Sequence, residues 1–419
     1  MMAAPDPEII LHGKKMKINP LRFACIASLA LMLVPAHAHD GHEHAAAAHK
    51  AALAVGAAFA PDGALWLVQQ DPQACLTLQI SRDDGKSWQP PRVLDTGSDH
   101  ITSSGESNPK LAFGPDRKVV ISYAQPLPKQ YTGEVRLLRS TDGGASFAAP
   151  VTVHHDRQVI THRFESIAFD AQGRLHTVWI DKRDAELAKQ AGAGPGSAQP
   201  PYRGAAIYRN VSSDGGATFG PDTRLADYSC ECCRIALTPT ADGQVAALWR
   251  HVYAPNIRDH AFALLGAAGA AVPAKTPVRA TFDNWAIDAC PHHGPGLTPA
   301  AGGGYHAVWF GERAGAAQVR YGRLDSEGKP AAAVLALPDE RAEHADVLSA
   351  GQRVAIVWRS FDGSGMNLKA WVSDDDGRHF NLRQLARTAA DSDYPRLVRK
   401  GAQLFVLWNT TGKRHVEAL

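Results

Sequence analysis

Four cysteines and two histidines carry the most specific chemical signal in this sequence. They lie in two short runs, Cys-Glu-Cys-Cys at 230–233 and Cys-Pro-His-His at 290–293. Aligning the segments that follow them, 235–239 and 295–299, sets Cys230 opposite Cys290 and the other cysteines opposite the two histidines (Cys232, Cys233, His292 and His293). Thiolate and imidazole are the ligands that Cu(I) and Zn(II) prefer. These residues therefore predict a soft-metal site, with copper or zinc as its cofactor.

Disulfide bonds are the alternative use of the same thiols. An exported protein meets an oxidising compartment, in which cysteines normally pair. A bridge from Cys230 to Cys290 would join the two runs most simply. Pairing leaves His292 and His293 without a role, and both interpretations stay open at this point.

The N-terminus predicts export. An apolar run at 23–34 and an Ala-x-Ala end at 36–38 follow four basic residues, Lys14, Lys15, Lys17 and Arg22. This pattern is typical of a secretory signal, and the run is too short to span a bilayer comfortably. We expect a signal peptide at 1–38, a periplasmic or secreted protein, and no membrane span after cleavage. A His-rich flexible segment, 39–51, would then precede a single domain, 52–419.

Composition and charge exclude several classes of partner. The chain has 419 residues, of which 45% are hydrophobic and 21% charged, as in packed globular proteins. Its formal net charge is +2, and residues 1–38 carry four cations and two anions, so the remaining chain is neutral. A neutral chain lacks the basic surface of a protein that binds nucleic acid or an anionic membrane.

Two repeated units indicate how these residues are positioned. An apolar strand, a turn and a second strand ending in an aromatic residue recur seven times (Trp66, Tyr123, Trp179, Trp249, Trp309, Trp358 and Trp408). Between them, Ser-x-Asp-x-Gly-x-x-aromatic occurs four times, starting at Ser81, Ser140, Ser212 and Ser373. In such a turn the Asp accepts backbone hydrogen bonds, and the Gly takes a conformation that other residues avoid.

The second unit resembles the Asp-box, or BNR, repeat of the sialidase superfamily. The Cys-x-Cys-Cys and Cys-Pro-His-His runs also resemble those of exported bacterial sialidase-like proteins. The resemblance implies an all-β fold over 52–419, a β-propeller with four-stranded blades around a channel. Sialidases have six blades, but the seven hairpins predict seven here, with six as the alternative. It also implies that the Asp-box aspartates are structural (Asp83, Asp142, Asp214 and Asp375).

The expected channel mouth is rich in arginine and histidine. The candidate ligand-binding residues are Arg163, Arg183, Arg234, Arg250, His251, Arg258, His260 and Arg313. Because arginine forms paired hydrogen bonds with carboxylate or phosphate, these residues predict binding of a small anionic ligand or an acidic glycan. The sialidase resemblance implies a first arginine in a Phe/Tyr-Arg-Ile-Pro motif, which this sequence lacks. Tyr394 and Glu165 remain as candidates for its nucleophile and base.

Three functions follow from these patterns. The residues most favour an exported propeller with a Cys/His site at the channel mouth that binds a soft metal such as copper. The alternative is a sialidase-type glycosidase, or a binder of anionic glycans, that uses the arginines. The third is a scaffold that contacts another envelope protein.

Overall fold

The computed structural model describes residues 53–194, 196, 202–266 and 276–419. The expected signal peptide, 1–38, and the His-rich segment, 39–51, lie outside these ranges. The described residues form 27 strands and one short helix, α1 (Arg183–Gln190). Within the described ranges, no helix has the length and apolar character that crossing a membrane requires.

The strands form seven separate antiparallel sheets, which are the seven blades of a β-propeller. The first strands of neighbouring blades contact one another all the way round, and the first strand of blade 1 contacts that of blade 7. The first strand of each blade is therefore the inner one, beside the axis. This arrangement confirms the predicted all-β propeller and the count of seven, and excludes six.

Six blades have four strands each, in chain order from the axis outward. Blade 1 contains β1 (Val55–Phe59), β2 (Leu65–Gln70), β3 (Leu76–Ser81) and β4 (Arg92–Val93). Blade 2 contains β5 (Lys110–Phe113), β6 (Val119–Pro126), β7 (Gly133–Ser140) and β8 (Val151–Thr152). Blade 3 contains β9 (His162–Phe169), β10 (Leu175–Asp181), β11 (Ala205–Ser212) and β12 (Thr223–Ser229).

The second half of the ring repeats this order and ends on a smaller sheet. Blade 4 contains β13 (Ala236–Pro239), β14 (Val245–Arg250), β15 (His260–Leu264) and β16 (Val278–Arg279). Blade 5 contains β17 (Gly296–Pro299), β18 (Tyr305–Arg313), β19 (Ala316–Leu324) and β20 (Leu335–Ala336). Blade 6 contains β21 (Ala342–Ala350), β22 (Arg353–Phe361), β23 (Met366–Ser373) and β24 (Asn381–Thr388). Blade 7 contains β25 (Arg396–Lys400), β26 (Gln403–Thr410) and β27 (Lys413–Ala418).

The seven recurring aromatics lie on the second strand of each blade and are all buried. They fill the space between neighbouring sheets. A side-chain carbon added at Gly144, in the Asp-box turn of blade 2, would lie 2.2 Å from the Trp66 ring of blade 1. Glycine at that turn therefore permits the close contact between blades, in addition to its positive φ of 86°.

The four Asp-box turns share one hydrogen-bonding pattern. In blade 2, the Ser140 hydroxyl donates to Asp142 Oδ1 at 2.7 Å and accepts from the Gly144 N–H at 2.8 Å. The Asp142 carboxylate also accepts from the backbone N–H of Ser146 at 3.0 Å. The turns that start at 81, 212 and 373 repeat these bonds. Each turn joins the third and fourth strands of its blade, far from the inner strands, as expected for a structural element.

Candidate metal centre

Three of the predicted cysteines lie in the segment that connects blade 3 to blade 4. This segment runs from the end of β12 to the start of β13, and the Cys230 N–H donates to the Arg250 carbonyl at the end of β14, at 3.0 Å. The side chains turn inward, into the apolar core between the two blades. Cys230, Cys232 and Cys233 are 1%, 5% and 2% exposed.

The three sulfurs form a compact group without a covalent bond. Cys230 Sγ lies 3.5 Å from Cys232 Sγ and 3.7 Å from Cys233 Sγ, and the last two are 3.9 Å apart. A disulfide bond would bring two sulfurs to about 2.05 Å. All five described cysteines carry free thiols, including Cys75 and Cys290.

These separations match those of thiolates around one metal ion. Metal–sulfur bonds of about 2.3 Å at tetrahedral angles place the sulfurs about 3.8 Å apart, and a trigonal arrangement places them about 4.0 Å apart. The observed range of 3.5 to 3.9 Å is close to both values. The group could therefore hold an ion at its centre with little rearrangement.

Cys290 approaches this group from the next blade. It precedes β17, the inner strand of blade 5, and its side chain is exposed. Its thiol interacts with Cys230 and Cys232, and hydrogen bonding to Cys230 is the largest cause that raises the pKa of Cys290 to about 11. The structure thus places the exposed Cys290 beside Cys230 and Cys232, next to the compact group of three buried sulfurs.

The four thiols differ in acidity. Hydrogen bonds from the other three thiols lower the pKa of Cys230 well below its usual range, against the effect of burial. Hydrogen bonding to Cys230 raises the pKa of Cys232, and burial raises that of Cys233. These contacts therefore favour ionisation of Cys230 over that of the other three thiols. Arg258 Nη1 donates to Cys230 Sγ at 3.5 Å, which places a positive charge beside that thiolate.

The two histidines have different surroundings, and His293 lies apart from the thiols. His292 is exposed, with a left-handed φ of 52°. His293 instead faces blade 6, where its ring stacks on Phe310 at 4.3 Å and on His344 at 4.2 Å. The expectation that both histidines join the thiols is therefore not what the geometry shows. The Cys-Pro-His-His run turns, so that Cys290 faces blade 4 and His293 faces the other way.

His293 belongs to a second group with Glu343 and His344, and this group is poorly arranged for a metal. The two imidazole rings are parallel within 6° and stacked. A ring nitrogen binds a metal in the plane of its own ring at about 2.0–2.1 Å, so one ion cannot lie in both planes. Burial lowers the pKa of each histidine to about 3, so both rings are neutral.

Most of the predicted arginines are held by internal acceptors. Arg183 pairs with Asp181 and Asp222, Arg313 with Asp283, and Arg234 with Glu106. Arg250 donates to the carbonyls of Arg258, His293 and Phe310, and Arg258 donates to Ile287 O as well as to Cys230.

The remaining predicted residues lie in separate places. The His251 ring packs at a tilt of 59° against Tyr253, and His260 contacts the Thr281 hydroxyl. Arg163 has a buried Nε without a hydrogen-bond partner. Glu165 accepts from the Ser122 hydroxyl at 3.1 Å. Tyr394 stacks on His344 at 3.3 Å and lies under the Arg359 guanidinium. The structure therefore gives the two catalytic candidates different neighbours.

Sequence reasoning missed one residue at this site, Glu106. Its carboxylate is 3% exposed and accepts hydrogen bonds from Arg234 and Gly294, which follow the two cysteine runs. It lies two residues before Asn108-Pro109, at the start of an inner strand. That position beside the axis was the only feature of the sequence from which a role of Glu106 could have been predicted.

The comparisons with known proteins establish the fold and no more. No protein-family model and no curated protein matches the chain. An ulvan lyase, a polysaccharide lyase, has a TM-score of 0.54 at 12% identity, over 88% of this chain and 92% of its own. The GH93 α-L-arabinofuranosidase of Fusarium graminearum has a TM-score of 0.50 at 13% identity, over 73% of this chain and 87% of its own. The chain shares its fold with carbohydrate-active enzymes.

A sialidase is also among the similar structures. The NanB sialidase from Streptococcus pneumoniae has a TM-score of 0.47 at 9% identity, over 85% of this chain and 83% of its own. A likeness this distant carries no argument about family or activity.

Proposed function

We propose that this chain is an exported propeller of the sialidase-like kind that binds one soft or borderline metal ion, Cu(I) or Zn(II). Cys230, Cys232 and Cys233 are the core ligands, and Cys290 completes the set. The observation that supports this proposal is the mutual distance of 3.5 to 3.9 Å among three free, buried sulfurs. Three sulfurs suit trigonal Cu(I), and four suit tetrahedral Zn(II).

The surroundings of the thiols also favour a metal over simple packing. Three adjacent thiols in an apolar core would pack as small hydrophobic side chains without needing one another. Here they converge, and the guanidinium of Arg258 donates to one of them. A donor to sulfur of this kind stabilises thiolate, the form that binds metal. A bound metal would also protect the thiols from the oxidation that an exported protein meets.

The glycan alternative has less support from the geometry. Arg183, Arg234 and Arg313 already form ion pairs with acidic side chains of the protein. A carboxylate ligand would have to compete with these internal acidic partners for the same guanidinium groups. The similarity to polysaccharide lyases and arabinofuranosidases concerns the fold alone. It identifies no residue of this chain that would bind a glycan.

A titration with thiol labelling tests the proposal. Reduced protein titrated with Cu(I) or Zn(II) should bind one ion per chain with saturation. A thiol-alkylating reagent followed by mass spectrometry should then modify Cys75 but spare Cys230, Cys232, Cys233 and Cys290. Cys75 is a suitable internal control because it is free, half-buried and on blade 1. Because Cys230, Cys232 and Cys233 are buried even without metal, the exposed Cys290 is the informative thiol: equal labelling of Cys290 with and without metal, or no saturable binding of the ion, would contradict the proposal.

A further inference from the structure

The Glu106 carboxylate joins the two segments that carry the thiols. Its Oε2 accepts from the Arg234 N–H at 2.9 Å and from the Gly294 N–H at 2.8 Å. Arg234 directly follows Cys233, and Gly294 is four residues after Cys290. One buried oxygen therefore binds the backbone of blade 4 and the backbone of blade 5 immediately beyond the cysteines.

Charge and close packing reinforce this contact. The Arg234 guanidinium donates through Nη1 to Glu106 Oε1 at 2.9 Å, and His344 Nδ1 lies 3.5 Å from the same oxygen. Burial opposes ionisation of Glu106, but Arg234 and His344 outweigh it and hold the pKa of the carboxyl well below its usual range. A side-chain carbon at Gly294 would lie 2.6 Å from Glu106 Oε2, so only glycine permits the approach.

The loop that carries Glu106 is itself fixed from the other side of the axis. It precedes β5 of blade 2, and Arg396 of blade 7 donates to the Gly105 carbonyl at 2.7 Å. A side-chain carbon at Gly105 would lie 2.2 Å from the Tyr394 ring, so that ring packs directly on the loop. The carboxylate is thus held in place by groups that do not belong to the thiol segments.

We propose that Glu106 is a positioning residue that holds Cys290 of blade 5 beside Cys230 and Cys232 of blade 4, from where its thiol can join the other three around one metal ion. This inference rests on the proposed metal function and assigns the element that assembles its ligand set. The three-thiol turn is a single segment, and Arg250 and Arg258 of blade 4 also contact it. Cys290 comes from another blade and is exposed, so its position depends on contacts between the blades. Glu106 supplies such a contact at the residues nearest the thiols.

The variant Glu106→Gln tests this role. It keeps the size of the side chain and one acceptor oxygen, but its NH₂ group must face either the two backbone N–H groups or the Arg234 guanidinium, so that a donor opposes a donor in both orientations. Loss of a partner that orients metal ligands typically weakens binding roughly 10- to 100-fold. We expect that loss for Zn(II), together with renewed alkylation of Cys290 in the metal-loaded protein. Cys232 and Cys233 should stay protected, which a general loss of folding would not allow.

Asp346→Asn is the matched control. Asp346 also binds two backbone N–H groups, Val347 at 3.0 Å and, from blade 7, Leu397 at 2.9 Å, but it touches neither thiol segment. This variant should bind Zn(II) with unchanged affinity and keep Cys290 protected.

Three results separate the inference from the function on which it rests. Unchanged affinity and full protection of Cys290 in Glu106→Gln overturn the positioning role. Absence of metal binding by the wild-type chain overturns the proposed function instead. If Glu106→Gln does not fold, Glu106→Asp takes its place, because it keeps the charge but is one methylene too short to reach both N–H groups. Protection of Cys290 in that variant would equally overturn the inference.

Discussion

We expect that replacing Cys232 and Cys233 together with Ser abolishes the proposed metal binding and leaves the seven blades in place. The double variant keeps only Cys230 and Cys290 as sulfur ligands, and a hydroxyl is a poor ligand for Cu(I) or for zinc in a thiolate site. Ser is close to Cys in size, and the strands of blades 3 and 4 begin and end outside residues 230–233. Bound metal per chain, measured by elemental analysis after gel filtration, should fall from one to near zero.

The single variant Cys75→Ser is the control for this experiment. It makes the same chemical change at a free, half-buried thiol of blade 1, and its metal content should equal that of the wild type. Circular dichroism should show the same β-sheet content for all three proteins. Full metal content in the double variant would contradict the assignment of these two cysteines as ligands.

We expect the affinity of the proposed site for metal to rise steeply with pH. In the metal-free protein the pKa values of Cys232 and Cys233 are raised, and that of Cys290 is about 11, whereas that of Cys230 is lowered. Near neutral pH three of the four thiols therefore hold a proton that the metal must displace. Protons compete with the metal, so affinity falls as pH falls and increases as pH rises. Three displaced protons correspond to about a thousandfold change in affinity per pH unit.

The number of protons that the metal displaces can be measured directly. Zn(II) added to weakly buffered protein at neutral pH should release about three protons per ion bound. Competition with a chelator across the neutral range should give the matching slope of affinity against pH. Release of one proton or fewer would mean that the raised-pKa thiols do not bind the metal.

The internal repeat explains why the sequence alone was sufficient to predict the fold and part of the candidate metal site. Each blade has one of the recurring buried aromatic residues on its second strand, from Trp66 to Trp408, so the number of these aromatics equals the number of blades. The register between blades 4 and 5 placed Cys290 beside Cys230, because equivalent positions on neighbouring blades converge near the axis. Both deductions depend on local pattern and on the symmetry of the propeller, which a single sequence displays.

The rest of the site depends on contacts that no local pattern displays. His293 occupies the position equivalent to Cys233, yet it stacks on His344 of blade 6. The register between blades predicts the position of the backbone, but it does not predict which neighbour a side chain contacts. Glu106 bonds to residues 128 and 188 positions later in the chain, through one loop that crosses the mouth. The arginines were predicted from their positions at the expected channel mouth. Their acceptors, such as the His293 and Phe310 carbonyls for Arg250, depend on tertiary packing.

X-ray absorption spectroscopy of the metal-loaded chain tests the central claim most directly, since it counts the ligand atoms around the ion. For zinc-loaded protein the account predicts four sulfur ligands at about 2.3 Å and no imidazole scattering. Cu(I)-loaded protein should show three or four sulfurs, again without nitrogen. A first shell dominated by nitrogen or oxygen, or one that contains the imidazoles of His292 or His293, would contradict it.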